Sequence, residues 1–172
     1  MKKFKNDNKG FTLVEIILVL VILAILAAIL VPALLGYIDE AKQKQIVLNA
    51  KSVYTAAQSV ASEMYAKDIK PSDAASATED SKKWATFADK IYKIADVDSF
   101  GETCTIYINF KDAAIPSGTT ATNHDYYTVS YVYFKQGTDK VVEFDGSSWE
   151  SKDSSYTSKY TTYEVKKKAS SW

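Results

Sequence analysis

The sequence predicts an α+β chain, in which one long N-terminal α-helix, lipid-facing in its first half and amphipathic in its second, packs against a C-terminal antiparallel β-sheet. Three observations predict it. Residues 16–31 are all Ala, Val, Ile or Leu. Beyond them Ile46, Ala50, Val53, Ala57, Val60 or Ala61, and Met64 recur every three or four positions, the spacing of a helix with one apolar face. From Thr103 onward apolar and polar residues alternate in short runs bounded by Gly, Asp and Ser, which is the period of half-buried strands.

The apolar run resumes after Pro32 with Ala33, Leu34 and Leu35, so it exceeds the roughly 20 residues needed to cross a bilayer as a helix. Pro32 has no N–H and its ring opposes the carbonyl of Ala28, which predicts a kink or loosened turn just before it. The amphipathic stripe extends the helix to about Ala66 and needs a sheet to cover it. Residues 69–80, rich in Ser, Ala and Asp around Pro71, read as a surface loop. A second, shorter helix places Trp84, Phe87, Ala88, Ile91 and Ala95 on one face, with Asp80 or Ser81 as its cap and an end near Val97.

In the sheet, Cys104, Ile106, Ile108 and Phe110 alternate with Thr103, Thr105, Tyr107 and Asn109. Residues 126–134 predict a second strand, with Tyr127, Val129, Tyr131 and Tyr133 on one side and Thr128, Ser130, Val132 and Phe134 on the other. Residues 140–144 and 147–151 flank Asp145-Gly146 and predict a tight two-residue hairpin. Residues 160–165 supply a last strand.

The start of the apolar run carries the chemistry. Lys9-Gly10-Phe11-Thr12-Leu13-Val14-Glu15 places a carboxylate just inside a lipid-length segment. A charge at the centre of a spanning helix costs on the order of 2.5–3.5 kcal/mol, so a lone acid there normally has a partner or a function. Glu15 is about 6 Å along the helix from Phe11, near one membrane face. Lys2, Lys3, Lys5 and Lys9 outweigh Asp7 and predict a cytoplasmic N-terminus. A secretory signal peptide fails on three counts: the run is too long, Glu15 interrupts its start, and Ala24, Ala27 and Ala28 lack small-x-small spacing. A plain single-pass anchor is the remaining simple alternative.

Gly10-Phe11 with Glu15 resembles the class III leader and first residues of type IV prepilins, of type IVa-like pattern, over roughly the first 35–40 residues. The resemblance implies cleavage after Gly10 by a prepilin peptidase, N-methylation at Phe11, and polymerisation through the apolar helix. Glu15 is then the assembly acid, paired with the freed amino group of a neighbouring subunit, and Pro32 the helix-bending proline. The organisation it implies is a leader (1–10), a transmembrane and filament-core helix (11–35), an amphipathic extension (36–66), a connecting region with a short helix (67–101), and a sheet with its tail (102–172). Implied partners are identical pilin subunits, the peptidase, an assembly ATPase and a membrane platform. The implied product is an extracellular pilus built from a membrane precursor. A minor pilin, a pseudopilin of type II secretion or DNA uptake, and a membrane-anchored surface binding protein are the alternatives.

Charge and composition argue against other classes. Removal of residues 1–10 leaves 17 basic and 20 acidic side chains, a net charge of −3. There is no arginine, so nothing favours nucleic-acid binding. Cys104 is the sole cysteine, which forbids an internal disulfide; several Gram-positive pilins likewise lack one. His124 is the sole histidine, in a Thr-Asn-Asp context without a catalytic or zinc-binding companion, and no nucleophile elbow or phosphate loop occurs. The chain is therefore expected to be no enzyme and to need no cofactor. Residues 96–102 begin like a calcium loop, but Phe100 and Tyr107 stand where oxygen ligands belong, and no metal is expected. The 12 tyrosines read as strand fillers ahead of a sticky outer surface, and Lys166, Lys167 and Lys168 as a solvated tail.

Overall fold

The computed structural model describes residues 10–71, 80–111, 122–138, 140–161 and 163–167. The leader lysines, most of the 69–80 loop, Asp139 and Lys168 lie outside the described residues, as do the side chains of Asp80 and Ser81. The chain divides into two compact units, residues 1–42 and 43–172. A helix, α1 (Leu13–Ala66), begins in the first and ends in the second. The second unit continues with α2 (Asp80–Ile94), a 3-10 turn (Val97–Phe100), β1 (Cys104–Phe110), a one-turn helix α3 (Asn123–Tyr126), β2 (Val129–Gln136), β3 (Val141–Phe144), β4 (Trp149–Lys152) and β5 (Tyr163–Glu164).

The five strands form one antiparallel sheet in the order β4-β3-β2-β1-β5, the α+β arrangement expected. Its inner face is set by period-two alternation: Ile106, Ile108 and Phe110 of β1, Val132 and Phe134 of β2, and Val142 of β3 join one buried cluster. The same cluster contains Ile46, Ala50, Val53, Ala57, Val60, Ala61 and Met64 of α1, the stripe expected to need a cover. Trp84, Phe87, Ala88, Ile91 and Ala95 are all buried there too. Two amides staple α1 to β2. Gln58 donates to the Tyr127 carbonyl (2.8 Å) and accepts from the Val129 N–H (3.0 Å). Gln136 accepts from Asn49 (2.9 Å) and donates to the Phe100 carbonyl (3.0 Å).

Three expectations for the sheet are corrected. Residues 126–134 do not form one strand: Asn123–Tyr126 is a helical turn closed by a capping box between Thr122 and Asp125, and β2 starts at Val129. A register shift between Asn109 and Phe110 pairs Phe110 with Val129. That bulge carries Val129 into the inner core and away from Tyr131 and Tyr133, because one extra residue reverses the facing of everything before it. The Asn109 side chain accepts the Phe110 N–H there (3.0 Å).

The hairpin is not a two-residue Asp-Gly turn, since Phe144 pairs with Trp149 across a four-residue loop. Asp145 organises it by accepting from the Ser147 and Ser148 N–H groups (2.9 Å each), and Gly146 takes the positive φ of 94°. The last strand, expected over residues 160–165, is the two residues Tyr163–Glu164, and it pairs with β1.

Reaching β1 from β4 carries residues 153–161 over the outer face of the sheet, where they form a strap. Tyr131, Tyr133 and Val141 are buried beneath it, with Tyr107, Tyr156 and Tyr160 packed alongside. Tyr133 donates to the Tyr156 carbonyl (2.9 Å), Lys135 to the Ser154 carbonyl (2.7 Å), and the Lys159 N–H to the Tyr131 hydroxyl (3.2 Å). Tyr156 donates to the buried Glu143 carboxylate (2.8 Å). The sheet tyrosines are thus fillers that also fasten a segment lacking ladder hydrogen bonds.

Burial pushes the Tyr131 phenol up to about 12, and the bond to Glu143, followed by burial, pushes that of Tyr156 up to about 12, from an ordinary value of 10.0. Both phenols favour the protonated form in the folded chain. Their stabilisation is therefore complete below the unfolded value and is lost as the pH rises from about 10 to about 12. Spectrophotometric titration of tyrosinate should show a late-ionising fraction, with loss of near-ultraviolet ellipticity in the same interval. Uniform ionisation near the ordinary value would contradict the strap contacts.

Candidate assembly site on the N-terminal helix

Gly10, Phe11 and Thr12 precede the first helical residue. Thr12 starts the helix: its carbonyl accepts from the Ile16 N–H (3.2 Å) and its hydroxyl accepts from the Glu15 N–H (3.3 Å). It is therefore the N-cap, and Glu15 occupies the third helical position, where a carboxylate faces the positive end of the helix dipole. Sequence reasoning singled out Glu15 but missed Thr12, although Thr-x-x-Glu before an apolar run is a capping signature.

Every residue from 10 to 45 is exposed, Phe11 at 79%. Among the described residues, and leaving aside its chain neighbours, no atom lies within 4 Å of where a Cβ on Gly10 would sit, so packing among them does not require glycine there. Pro32 lies inside α1, and residues 28–36 are helical on either side of it. The structure thus brings Gly10, Phe11 and Glu15 together at one helix end and leaves Pro32 roughly five turns along the same helix.

The other sequence candidates fall elsewhere. Cys104 is half-buried on β1, and burial, then the Glu102 carboxylate, raises its thiol to about 11, which leaves it a poor nucleophile. In the calcium-like stretch, Asp98 is engaged by Lys167 (2.6 Å) and Tyr92 (3.1 Å). No group of His, Cys, Asp or Glu suited to a metal ion occurs among the described residues.

Residues 5–31 match the family model of the prokaryotic N-terminal methylation motif. The match takes in Gly10, Phe11 and Glu15 and ends just before Pro32. A curated relative, the type IV major pilin protein PilA of Myxococcus xanthus (strain DK1622), is 40% identical over 63 residues, 37% of this chain. The N-terminal segment carries the methylation motif and is similar to part of a type IV major pilin. The chain spans 29% of that pilin's length, and no solved structure gives a significant match. The matched segment here consists of an exposed apolar helix preceded by a non-helical Gly10-Phe11 junction.

Proposed function

We propose that this chain is the major-type structural subunit of a type IV pilus, made as a membrane precursor with its N-terminus in the cytoplasm, cleaved after Gly10 and N-methylated at Phe11. The exposed apolar first half of α1 carries the reading. Its Ile, Leu and Val side chains are exposed among the described residues, and a bilayer before assembly and a bundle of identical helices afterwards both keep them dry. The Gly10–Phe11 bond precedes the helix, where an extended backbone can enter a peptidase site without unwinding a turn. Since Gly10 meets no steric demand in this chain, its role is assigned to the prepilin peptidase. Pro32 would let the helix bend between packed neighbours. An assembly ATPase and a membrane platform complete the set of partners.

Glu15 is exposed in the first turn and would pair with the amino group of Phe11 on the next subunit. An unpaired carboxylate in a low-dielectric bundle is penalised far more than in water, so the pair sets register. Mass spectrometry of filaments sheared from the cell surface should find one dominant polypeptide beginning at methylated Phe11. Recovery of the chain only from membranes, beginning at Met1 or Lys2, would overturn the proposal. Glu15→Ala subunits should be cleaved normally yet fail to enter filaments without wild-type help. Quantifying the variant in sheared fractions checks this, and incorporation at the wild-type level would refute the role given to the carboxylate.

A further inference from the structure

The last turns of α1 and the junction of α3 with β2 enclose a concavity of about 500 Å³, lined by Gln58, Ser62, Tyr65, His124, Tyr127 and Thr128. That volume falls within the roughly 300–1,000 Å³ of small-molecule sites. Its walls are held in place. Gln58 is fixed by its two main-chain bonds (2.8 and 3.0 Å), and Tyr127 braces Tyr65 edge-on at 5.2 Å between ring centroids. Tyr65 remains 61% exposed, and its hydroxyl has no hydrogen bond among the described residues.

The hydrogen bonds also assign the histidine tautomer. The Thr128 hydroxyl is 2.8 Å from the His124 carbonyl, which can only accept, so the single hydroxyl proton points there. The same oxygen is 3.1 Å from His124 Nδ1, and with its proton on the nearer carbonyl it is placed to accept from an Nδ1–H. This arrangement favours the tautomer with the proton on Nδ1, in which Nε2 is an acceptor without a partner among the described residues. Ser62 spends its proton on the Gln58 carbonyl (3.0 Å), which leaves its oxygen free to accept as well.

An exposed aromatic ring beside acceptor atoms, with no Asp, Glu, Lys or Arg in the lining, suits a ligand that is neutral, ring-shaped and rich in hydroxyl donors. The acids next in sequence to lining residues already have cationic partners: Glu63 has Lys67 (2.6 Å) and Lys90 (2.5 Å), and Asp125 has Lys111 (3.0 Å). A cationic ligand would thus find no counter-charge. We propose that this concavity binds a neutral saccharide, with the Tyr65 ring stacked on the C–H face of the sugar and His124 Nε2 accepting from a sugar hydroxyl.

The test uses the full chain, labelled with ¹⁵N, in a detergent without a sugar headgroup, with galactose and N-acetylglucosamine as probes and choline as the cationic control. Saturation-transfer NMR should light up the C–H protons of at least one sugar, and the same titration should shift the Nε2 resonance of the sole histidine. Tyr65→Ala should weaken binding roughly three- to tenfold, the worth of one aromatic contact. Because Tyr65 is largely exposed, the variant should keep the native imidazole signals, which report on folding in the same sample. Absence of transfer to both sugars, preference for choline, equal affinity of Tyr65→Ala, or a spectrum placing the imidazole proton on Nε2 would each overturn the proposal.

Discussion

Phe134→Ala should destabilise the second unit by about 3–5 kcal/mol, the range for truncating a fully buried aromatic side chain. Phe134 is 0% exposed on β2, the middle strand of the five. It pairs in register with Ile106 of β1 and Val142 of β3, and its ring meets that of Phe100 edge-on at 5.9 Å. Phe134 lies in a cluster made mostly of Ile, Val, Ala and aromatic side chains, which are short or stiff and fill a phenyl-sized gap only in part. Against a total stability of about 5–15 kcal/mol this is a large fraction, and it corresponds to a fall in melting temperature of about 10–20 °C. Thermal and urea unfolding of the full chain in detergent, followed by near-ultraviolet ellipticity, checks it. A cost below about 1 kcal/mol would mean that the inner face repacks freely.

The positions that make Phe134 so sensitive were also the ones most legible in the sequence. The α1 stripe, the α2 face and the bounds of β1 all come from uninterrupted periodicity, and each of those apolar residues is where its period places it. What periodicity could not reveal was a change of phase. The bulge between Asn109 and Phe110 adds one residue on β2, and no local composition announces it, because Val129 is as acceptable inside as outside. The Asp-Gly turn misled for a related reason: the same dipeptide serves a two-residue turn or a longer loop nucleated by the Asp145 carboxylate, and strand register decides between them.

At the N-terminal site, Gly10, Phe11 and Glu15 were readable because one charge in a lipid-length run is costly wherever it lies. Thr12 was overlooked because a cap is worth only about 1 kcal/mol and leaves no such contrast. The saccharide pocket had no sequence signal at all. It brings Tyr65 of α1 beside His124 of α3, 59 residues apart in sequence, and only the fold brings them together.

The strap is the other place where a single side chain matters most. Glu143→Ala should cost about 2–3 kcal/mol and release residues 153–161 before the rest of the unit unfolds. Glu143 is 3% exposed, accepts from Tyr156 (2.8 Å), and has Lys152 and Lys159 at 3.8 and 3.9 Å. It also lies directly across from Glu150, which Lys152 contacts as well. Two carboxylates in register repel, so a bridging lysine and a tyrosine donor are what make the buried one tolerable. Removing the acid leaves the Tyr156 hydroxyl without its acceptor and the strap without its anchor over β3. Glu143→Gln, whose amide oxygen still accepts from Tyr156, should cost less than half as much. Lys159→Ala should cost under about 0.5 kcal/mol, because its ammonium is solvated and distant. Glu143→Leu combined with Tyr156→Phe should recover part of the loss, since no polar group is then left unpaired. Hydrogen exchange and limited proteolysis distinguish local release from global unfolding. If the strap amides of Glu143→Ala remain protected to the same extent as those of β1 and β2, the strap is held by tyrosine packing alone and the carboxylate is not its anchor.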